Sequence, residues 1–305
     1  MDYLIGIDAG ATKSELIAYD MENKPIIKKI GGFGNPTVSQ EKTIKNLEVL
    51  IKQVLEVLST RNCRLIAIGL AGAQMGNSKE SIRSYLNDKF GIPTIVLTDI
   101  FMSYQAYFGS ESGIITIAGT GSSSYGRRKD KEAMAGGWGH LLGDEGSGYH
   151  IVLQAFKKIV YLWDHEMELD ELSKALLRKI GAYDPSNIKH FIYNSQKNEI
   201  AGLFPIILNM SQKESAEAKK LLAEAGKSLA DITSIVYNRL KFNEPIQIGI
   251  KGGVFHSNSY VKTSFENRLS EYLEDFIIIK EDISATKAVC SLYQQIGQKF
   301  VDFHI

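Results

Sequence analysis

The residues with chemical potential lie where short apolar runs end. Asp8-Ala9-Gly10-Ala11-Thr12-Lys13-Ser14 separates the apolar runs Tyr3–Ile7 and Glu15–Tyr19. This pattern predicts a hairpin whose turn is rich in glycine and hydroxyls, with one carboxylate at the strand end. Amides and hydroxyls in such a turn can cradle phosphate, and Asp8 is placed to hold Mg²⁺, directly or through water. The turn is not a Walker loop, because no Gly-Lys-Ser/Thr opens a helix. Further along, Gly113–Ala118 predicts a strand, Gly119-Thr120-Gly121-Ser122-Ser123-Ser124 a second turn of the same kind, and Tyr125-Gly126-Arg127 the returning strand. Two strand–turn–strand units predict a duplicated domain with nucleotide held between the copies.

The densest stretch is Gly136-Gly137-Trp138-Gly139-His140-Leu141-Leu142-Gly143-Asp144-Glu145-Gly146-Ser147-Gly148-Tyr149. Its six glycines cannot fill a core, and they cost backbone entropy to order. Such a loop suits a backbone that must come close to a ligand. Ser147 can cap the helix that follows, which leaves Asp144 and Glu145 at the mouth of a site. Asp99 follows the strand Thr94–Leu97, and ligands of open α/β sheets gather beyond the carboxyl ends of strands. An ionised carboxylate there can accept a hydroxyl proton, or it can cap the helix containing Phe101, Tyr104 and Tyr107. Asn35 can bond a ligand or serve as turn chemistry ahead of Pro36. Gly252-Gly253 ends the strand Gln247–Ile250. It admits a flat ligand such as adenine, or it is a plain strand-to-helix turn.

The elements that must position these residues alternate in type. Pro25–Ile30 predicts an edge strand. Ile44, Leu47, Leu50, Ile51, Val54, Leu55 and Leu58 mark one face of a long helix, since they recur at helical spacing. Arg64–Leu70 is a buried strand ending in the small-residue loop Ala71-Gly72-Ala73, and a helix carrying Ile82, Tyr85, Leu86 and Phe90 comes next. Residues 147–240 read as mostly helical, with a long helix over Glu214–Leu240. Phe276–Ile279 is a short strand, and Ser284–Phe303 a terminal helix. The basic run Arg127–Lys131 reads as a solvated hairpin tip.

The chain has 305 residues, with 44% hydrophobic and 23% charged residues. That length is enough for two compact domains. Lys+Arg and Asp+Glu both number 35, so charge directs the protein neither to nucleic acid nor to an anionic membrane. No apolar run approaches the ~20 residues of a membrane span. No signal peptide opens the sequence. Cys63 and Cys290 are the only cysteines. They are expected to be buried free thiols in a reducing cytoplasm, and they lack zinc-site spacing. The histidines show no metal spacing.

Taken in order, the two turns, the Gly-Gly-Trp-Gly-His…Gly-Asp-Glu-Gly-Ser run and Gly252-Gly253 resemble the BadF/BadG/BcrA/BcrD ATPase family, and within it the N-acetylglucosamine kinases, of the actin/hexokinase/Hsp70 superfamily. The resemblance covers nearly the whole chain. It implies an α/β fold of two ribonuclease-H-like (actin-like ATPase) domains flanking a nucleotide/sugar cleft. The boundaries expected are 1–110 and 111–287, with a terminal helix over about 288–305 able to pack on the first domain. It implies ATP and Mg²⁺, with Gly10, Thr12, Lys13, Gly119, Thr120, Gly121 and Gly253 binding ATP and Asp8 placing the metal. Asn35, Asp99, Gly137, Trp138 and Asp144 would hold a small amino sugar, and Asp99 would be the general base for its 6-hydroxyl. The activity implied is phosphorylation of N-acetylglucosamine or N-acetylmuramate, glucosamine being the alternative. Dimers are common among relatives.

Two positions depart from the family pattern. Ala135 stands where the vertebrate kinases carry cysteine, and the last helix begins Ser284-Ala285-Thr286-Lys287-Ala288 rather than with glycines. The family's other branch comprises ATPase activators of CoA-ester reductases and dehydratases. It holds an iron–sulfur cluster through cysteines in Gly-rich loops, where neither Cys63 nor Cys290 lies.

Overall fold

A computed structural model describes residues 1–73, 77–242 and 244–302. The chain divides into two compact units: Met1–Ser112 with Glu281–Ile305, and Gly113–Lys280.

The first unit runs β1 (Tyr3–Ala9), β2 (Ser14–Asp20), β3 (Pro25–Gly31), α1 (Pro36–Leu55), β4 (Cys63–Leu70), α2 (Ser78–Phe90), β5 (Thr94–Thr98) and α3 (Asp99–Phe108). Its sheet has the order β3-β2-β1-β4-β5, with β1, β4 and β5 parallel. The strands β1 and β4 are mostly apolar, Asp8 and Arg64 apart, because helices cover both faces of a parallel sheet. Ile5, Ile7 and Ala9 of β1 face Leu47, Leu50, Ile51 and Leu86 from α1 and α2. Leu4 faces the other way, toward Met102 of α3 and the late segment Ala285–Val289.

That late segment lies against β1. A Cβ on Gly6 would stand 1.9 Å from the Thr286 carbonyl oxygen. Only glycine, which has no Cβ, lets the two backbones touch. The Tyr19 hydroxyl and Thr286 Oγ1 lie 2.7 Å apart, and Ser284 donates to Glu15 at 2.8 Å. The helix α1 is broken at Ser39, whose backbone is extended and whose hydroxyl accepts from the Lys42 amide at 3.3 Å. Ser39 therefore caps the straight, longer part of the helix.

The second unit runs β6 (Gly113–Ala118), β7 (Ser122–Arg128), β8 (Lys131–Gly136), α4 (Gly148–Asp164), α5 (Glu171–Ile180), α6 (Pro185–Asn194), α7 (Lys197–Ala201), α8 (Phe204–Gln212), α9 (Ala216–Leu240), β9 (Ile246–Lys251), α10 (Gly253–His256), α11 (Ser259–Leu269) and β10 (Phe276–Ile279). Its sheet order, β10-β9-β6-β7-β8, repeats that of the first unit strand for strand. In each, an antiparallel three-strand meander is extended by parallel strands beside its first member. The long helix α9 packs on β7 and β8, and α11 packs on α9 so closely that a Cβ on Gly226 would lie 2.3 Å from the Val261 carbonyl oxygen.

Element boundaries move by a few residues from expectation, with one larger change. Ser122, Ser123 and Ser124, expected in the turn, already pair with Ala118, Ile117 and Thr116. The second turn is thus shorter than its serine run. The terminal helix, α12 (Ala288–Asp302), follows a 3₁₀ turn at Ala285–Lys287, and Phe303 lies outside the described residues. Among the described residues no helix is long and apolar enough to cross a membrane.

Candidate active site

In the first unit, three chain segments meet beyond the carboxyl ends of β1, β4 and β5. The β1–β2 turn closes through Gly10 N to the Lys13 carbonyl, 3.0 Å, leaving Thr12 and Lys13 exposed. The Gly34 amide donates to the Gly10 carbonyl, 2.9 Å, and the Ala71 amide to the Ala9 carbonyl, 2.9 Å. These bonds bring the loop before α1 and the loop after β4 onto the turn. A Cβ on Gly34 would sit 2.3 Å from Ala9 Cβ, so glycine is needed for the approach.

Asn35 is the N-cap of α1. Its Oδ1 accepts from Thr37 N at 3.0 Å and from the Thr37 hydroxyl at 2.6 Å. Gly72, in the left-handed region at φ +70, lies behind it; a Cβ there would be 2.6 Å from that oxygen. Turn chemistry thus accounts for the oxygen of Asn35, while the amide nitrogen still offers two donors.

Asp99 has a different position from the cap that the sequence allows. Thr98 is the N-cap of α3, its hydroxyl accepting from Phe101 N at 3.4 Å. Asp99 is the first helical residue, half-buried, with Oδ1 on its neighbour's amide, Ile100 N, at 2.9 Å. Its Cα lies 3.6 Å from where a Gly69 Cβ would stand, and Gly69 pairs with Asp8 in the parallel register of β1 and β4. Paired residues of neighbouring strands point to the same face. Asp8 and Asp99 therefore share one face and one edge of the sheet.

The second unit gathers its own set. The turn closes through Gly119 N to the Gly121 carbonyl, 2.9 Å. Bonds that tie the glycine-rich stretch to it include Gly137 N to the Ser122 carbonyl at 2.9 Å, Gly148 N to the Gly119 carbonyl at 2.8 Å, and Ser122 Oγ to the Glu145 carbonyl at 2.7 Å. Gly136, Gly137, Gly139 and Gly146 all adopt a left-handed backbone, at φ +72, +73, +83 and +76 respectively. Glycine reaches that region without steric cost, which explains their residue type. Ser147 caps α4 as expected, accepting from His150 N at 3.2 Å. Trp138, Leu141 and Leu142 are exposed, Trp138 to 75%.

Asp144 is only 3% exposed and holds a left-handed backbone, φ +66. Its Oδ1 accepts from Ser122 N at 3.1 Å, and its Oδ2 lies 2.6 Å from Lys197 Nζ at the start of α7. Of the acidic pair, Glu145 is exposed, whereas Asp144, expected beside it at a mouth, turns under the second turn. Nothing in the sequence singles out Lys197; the contact arises from packing of α7.

The two glycines after β9 differ. Gly252, at φ +105, has Ala118 O 2.3 Å from its Cβ position, so the strand-to-helix turn alone requires it. Gly253 is exposed, with nothing within 4 Å of its Cβ position, so it faces open space.

His150 is tied into this loop. Its Nδ1 accepts from Gly146 N at 3.4 Å, and burial pushes its pKa below the ordinary imidazole value. Cys63 and Cys290 are both buried, and burial raises their thiols to about 12 and about 11.

The sequence model of the BadF/BadG/BcrA/BcrD ATPase family matches residues 5–286. The chain belongs to this family. The N-acetylmuramic acid/N-acetylglucosamine kinase of Clostridium acetobutylicum is 31% identical over 298 residues, covering 95% of this chain and 97% of the relative. Among solved structures, a candidate N-acetylglucosamine kinase of Chromobacterium violaceum superposes with a TM-score of 0.77 at 22% identity, covering 96% of this chain and 99% of that one. A ROK family glucokinase from Streptomyces griseus, solved with glucose and AMPPNP, gives 0.63 at 13% identity, covering 96% and 99%. At such identities the two structures speak for the fold of this BadF-type chain.

Proposed function

We propose that this chain is an ATP-dependent sugar kinase of the cytoplasm, and that it phosphorylates the 6-hydroxyl of an N-acetylated amino sugar. N-acetylglucosamine is the first choice and N-acetylmuramate the second. The observation that carries the reading is Asp99: freed of capping by Thr98, it shares a face and an edge with Asp8 in a chain 31% identical to a kinase of those two sugars.

Asp99 accepts the proton of the 6-hydroxyl as its oxygen attacks the γ-phosphorus, and ADP leaves. Phosphoryl transfer asks little more of the protein than positioning and charge stabilisation. Thr12, Lys13 and Gly10 in the first turn, and Gly119, Thr120 and Gly121 in the second, bind the phosphates. Gly253, facing open space, takes the adenosine. Asn35 Nδ2, the Gly137 backbone and the exposed Trp138 ring hold the sugar.

Asp144 joins the sugar residues through Oδ2. That atom is buried, and its close neighbour is the Lys197 ammonium, 2.6 Å away. The charge of Asp144 is already met by Lys197, so it offers no spare acid to the ammonium of free glucosamine, and a neutral acetamide needs none.

A magnesium ion fits Asp8. Among the described residues no three His, Cys, Asp or Glu side chains gather as a metal cage. Mg²⁺ commonly binds through one or two carboxylates together with substrate phosphates and water. Held by Asp8, it would offset the charge of the phosphates.

The test is ADP release with N-acetylglucosamine, N-acetylmuramate and glucosamine side by side, with and without EDTA, and the product's phosphate position read by NMR. Highest kcat/KM for glucosamine, phosphate on the anomeric oxygen, or full activity in EDTA would each refute the corresponding part.

A further inference from the structure

Lys197 is a cation brought against the second turn by the fold rather than by the motif. It begins α7, which is anchored by the buried Ile200 and whose first turn is closed by a capping box between Gln196 and Glu199. From there the side chain reaches Asp144. The same Nζ lies 2.8 Å from the position a Gly121 Cβ would occupy. Any side chain at Gly121 would displace the ammonium, so glycine at this position serves the lysine as well as the turn. Lys197 keeps 29% of its side chain exposed, whereas Asp144 beneath it keeps 3%.

A counterion alone would explain part of this. A buried carboxylate needs compensation, and Asp144 receives it from Ser122 N and Lys197. An ammonium, however, carries three donors, and Asp144 Oδ2 can take one. The ammonium lies against Gly121, in the turn whose amides and hydroxyls suit phosphate, and the side chain keeps 29% exposure. A lysine there adds a mobile point charge where the backbone supplies only dipoles.

We propose that Lys197, held by Asp144 against Gly121, is a further substrate-binding residue whose ammonium bonds a phosphoryl oxygen of the nucleotide at the second turn. Asp144 is then its positioning residue as well as the anchor of Ser122 N. The assignment rests on the kinase reading above.

The test compares Lys197→Met, Lys197→Arg and Thr120→Val with the wild type. Readouts are KM for ATP, KM for sugar, kcat, thermal stability, and calorimetric titration with AMPPNP in the absence of sugar. Lys197→Met is expected to raise the KM for ATP and weaken AMPPNP binding by about 10- to 100-fold, the worth of one charge-assisted hydrogen bond. Sugar KM should change little, Thr120→Val should shift the same constants, and Lys197→Arg should recover much of the loss. Because Lys197→Met strands a buried carboxylate, the double variant Asp144→Asn with Lys197→Met removes both charges and should still bind AMPPNP weakly.

Unchanged AMPPNP affinity with lowered stability would overturn the proposal and leave Lys197 a counterion. A rise in sugar KM alone, above all for N-acetylmuramate, would overturn it in favour of sugar recognition. A wild-type protein that phosphorylates none of the sugars would refute the kinase reading, and the AMPPNP titration would still decide Lys197.

Discussion

Replacing Asp99 by asparagine separates chemistry from structure at this position. Asparagine has the same shape and keeps an oxygen for Ile100 N, the bond Asp99 makes at 2.9 Å. The N-cap of α3 is Thr98 and stays in place. One structural loss expected is the favourable placement of a negative charge in the first turn of a helix, about 0.3–1 kcal/mol. The chemical loss is of another order. An amide cannot take the proton from the sugar hydroxyl, and losing a general base costs about 10²–10⁴-fold in rate. At about 1.36 kcal/mol per tenfold, that is about 3–5 kcal/mol of transition-state stabilisation, well above the stability term. ADP release at saturating sugar and ATP measures the rate, calorimetry the sugar affinity, and a thermal melt the fold. The expected result is a collapse of kcat with sugar binding largely kept and a melting point within a few degrees of wild type. Asp99→Asn turning over at the wild-type rate would refute the base assignment. So would lost sugar binding with turnover per bound sugar unchanged, which would leave Asp99 a binding or structural residue.

Two further outcomes follow from the loops. Gly72→Ala should raise the KM for sugar more than that for ATP, because its Cβ would press on Asn35 Oδ1 from 2.6 Å away in a left-handed backbone that alanine resists. Equal effects on both substrates would point to general unfolding instead. His150 gives a pH dependence. Burial, with help from Lys157 and against Glu145 and Asp144, holds its folded pKa low, below the unfolded value of about 6.5. Its contribution to stability is therefore present above about pH 6.5 and lost as pH falls through the folded value. The melting point of the wild type should fall more steeply than that of His150→Gln between about pH 7 and about pH 5, and parallel curves would remove His150 from the account.

Much of the fold was legible in the chain because local rules agreed with the tertiary answer. β1, β4 and β6 are apolar runs closed by glycine or small residues, and a parallel sheet covered on both faces calls for such runs. Ser147 was readable as a cap, since its hydroxyl precedes an apolar helical period. Asp99 was ambiguous because cap and first-turn acids occupy adjacent positions; only the Thr98 hydroxyl on Phe101 N separates them. The serine run after Gly121 misled because Ser122–Ser124 fit a strand whose partner, β6, supplies the pairing. Asp144 and Lys197 could not be read at all as a pair. They come from a loop and a short helix far apart in sequence, and their contact depends on how α7 packs beside α4. The role of Gly6 was equally hidden, since a glycine demanded by another backbone's approach carries no local signature.

The split of the first unit has a consequence for synthesis. Residues 113–280 form one uninterrupted unit, whereas one face of the sheet around β1, partly covered by α3, is completed only when residues 281–302 arrive. As the nascent chain leaves the ribosome, Leu4, Tyr19, Leu65 and Met102 emerge long before Ala285, Ala288 and Val289, the residues that pack on them. The unit encoded second can thus close first, while the one encoded first waits with an apolar face open. That interval exposes the nascent chain to chaperones and to misassociation with other unfinished copies, since exposed apolar surface on incomplete domains is what drives aggregation. Slow codons placed before residue 281 would lengthen the interval, and a strand of the sheet that carries Asp8 would bear the cost.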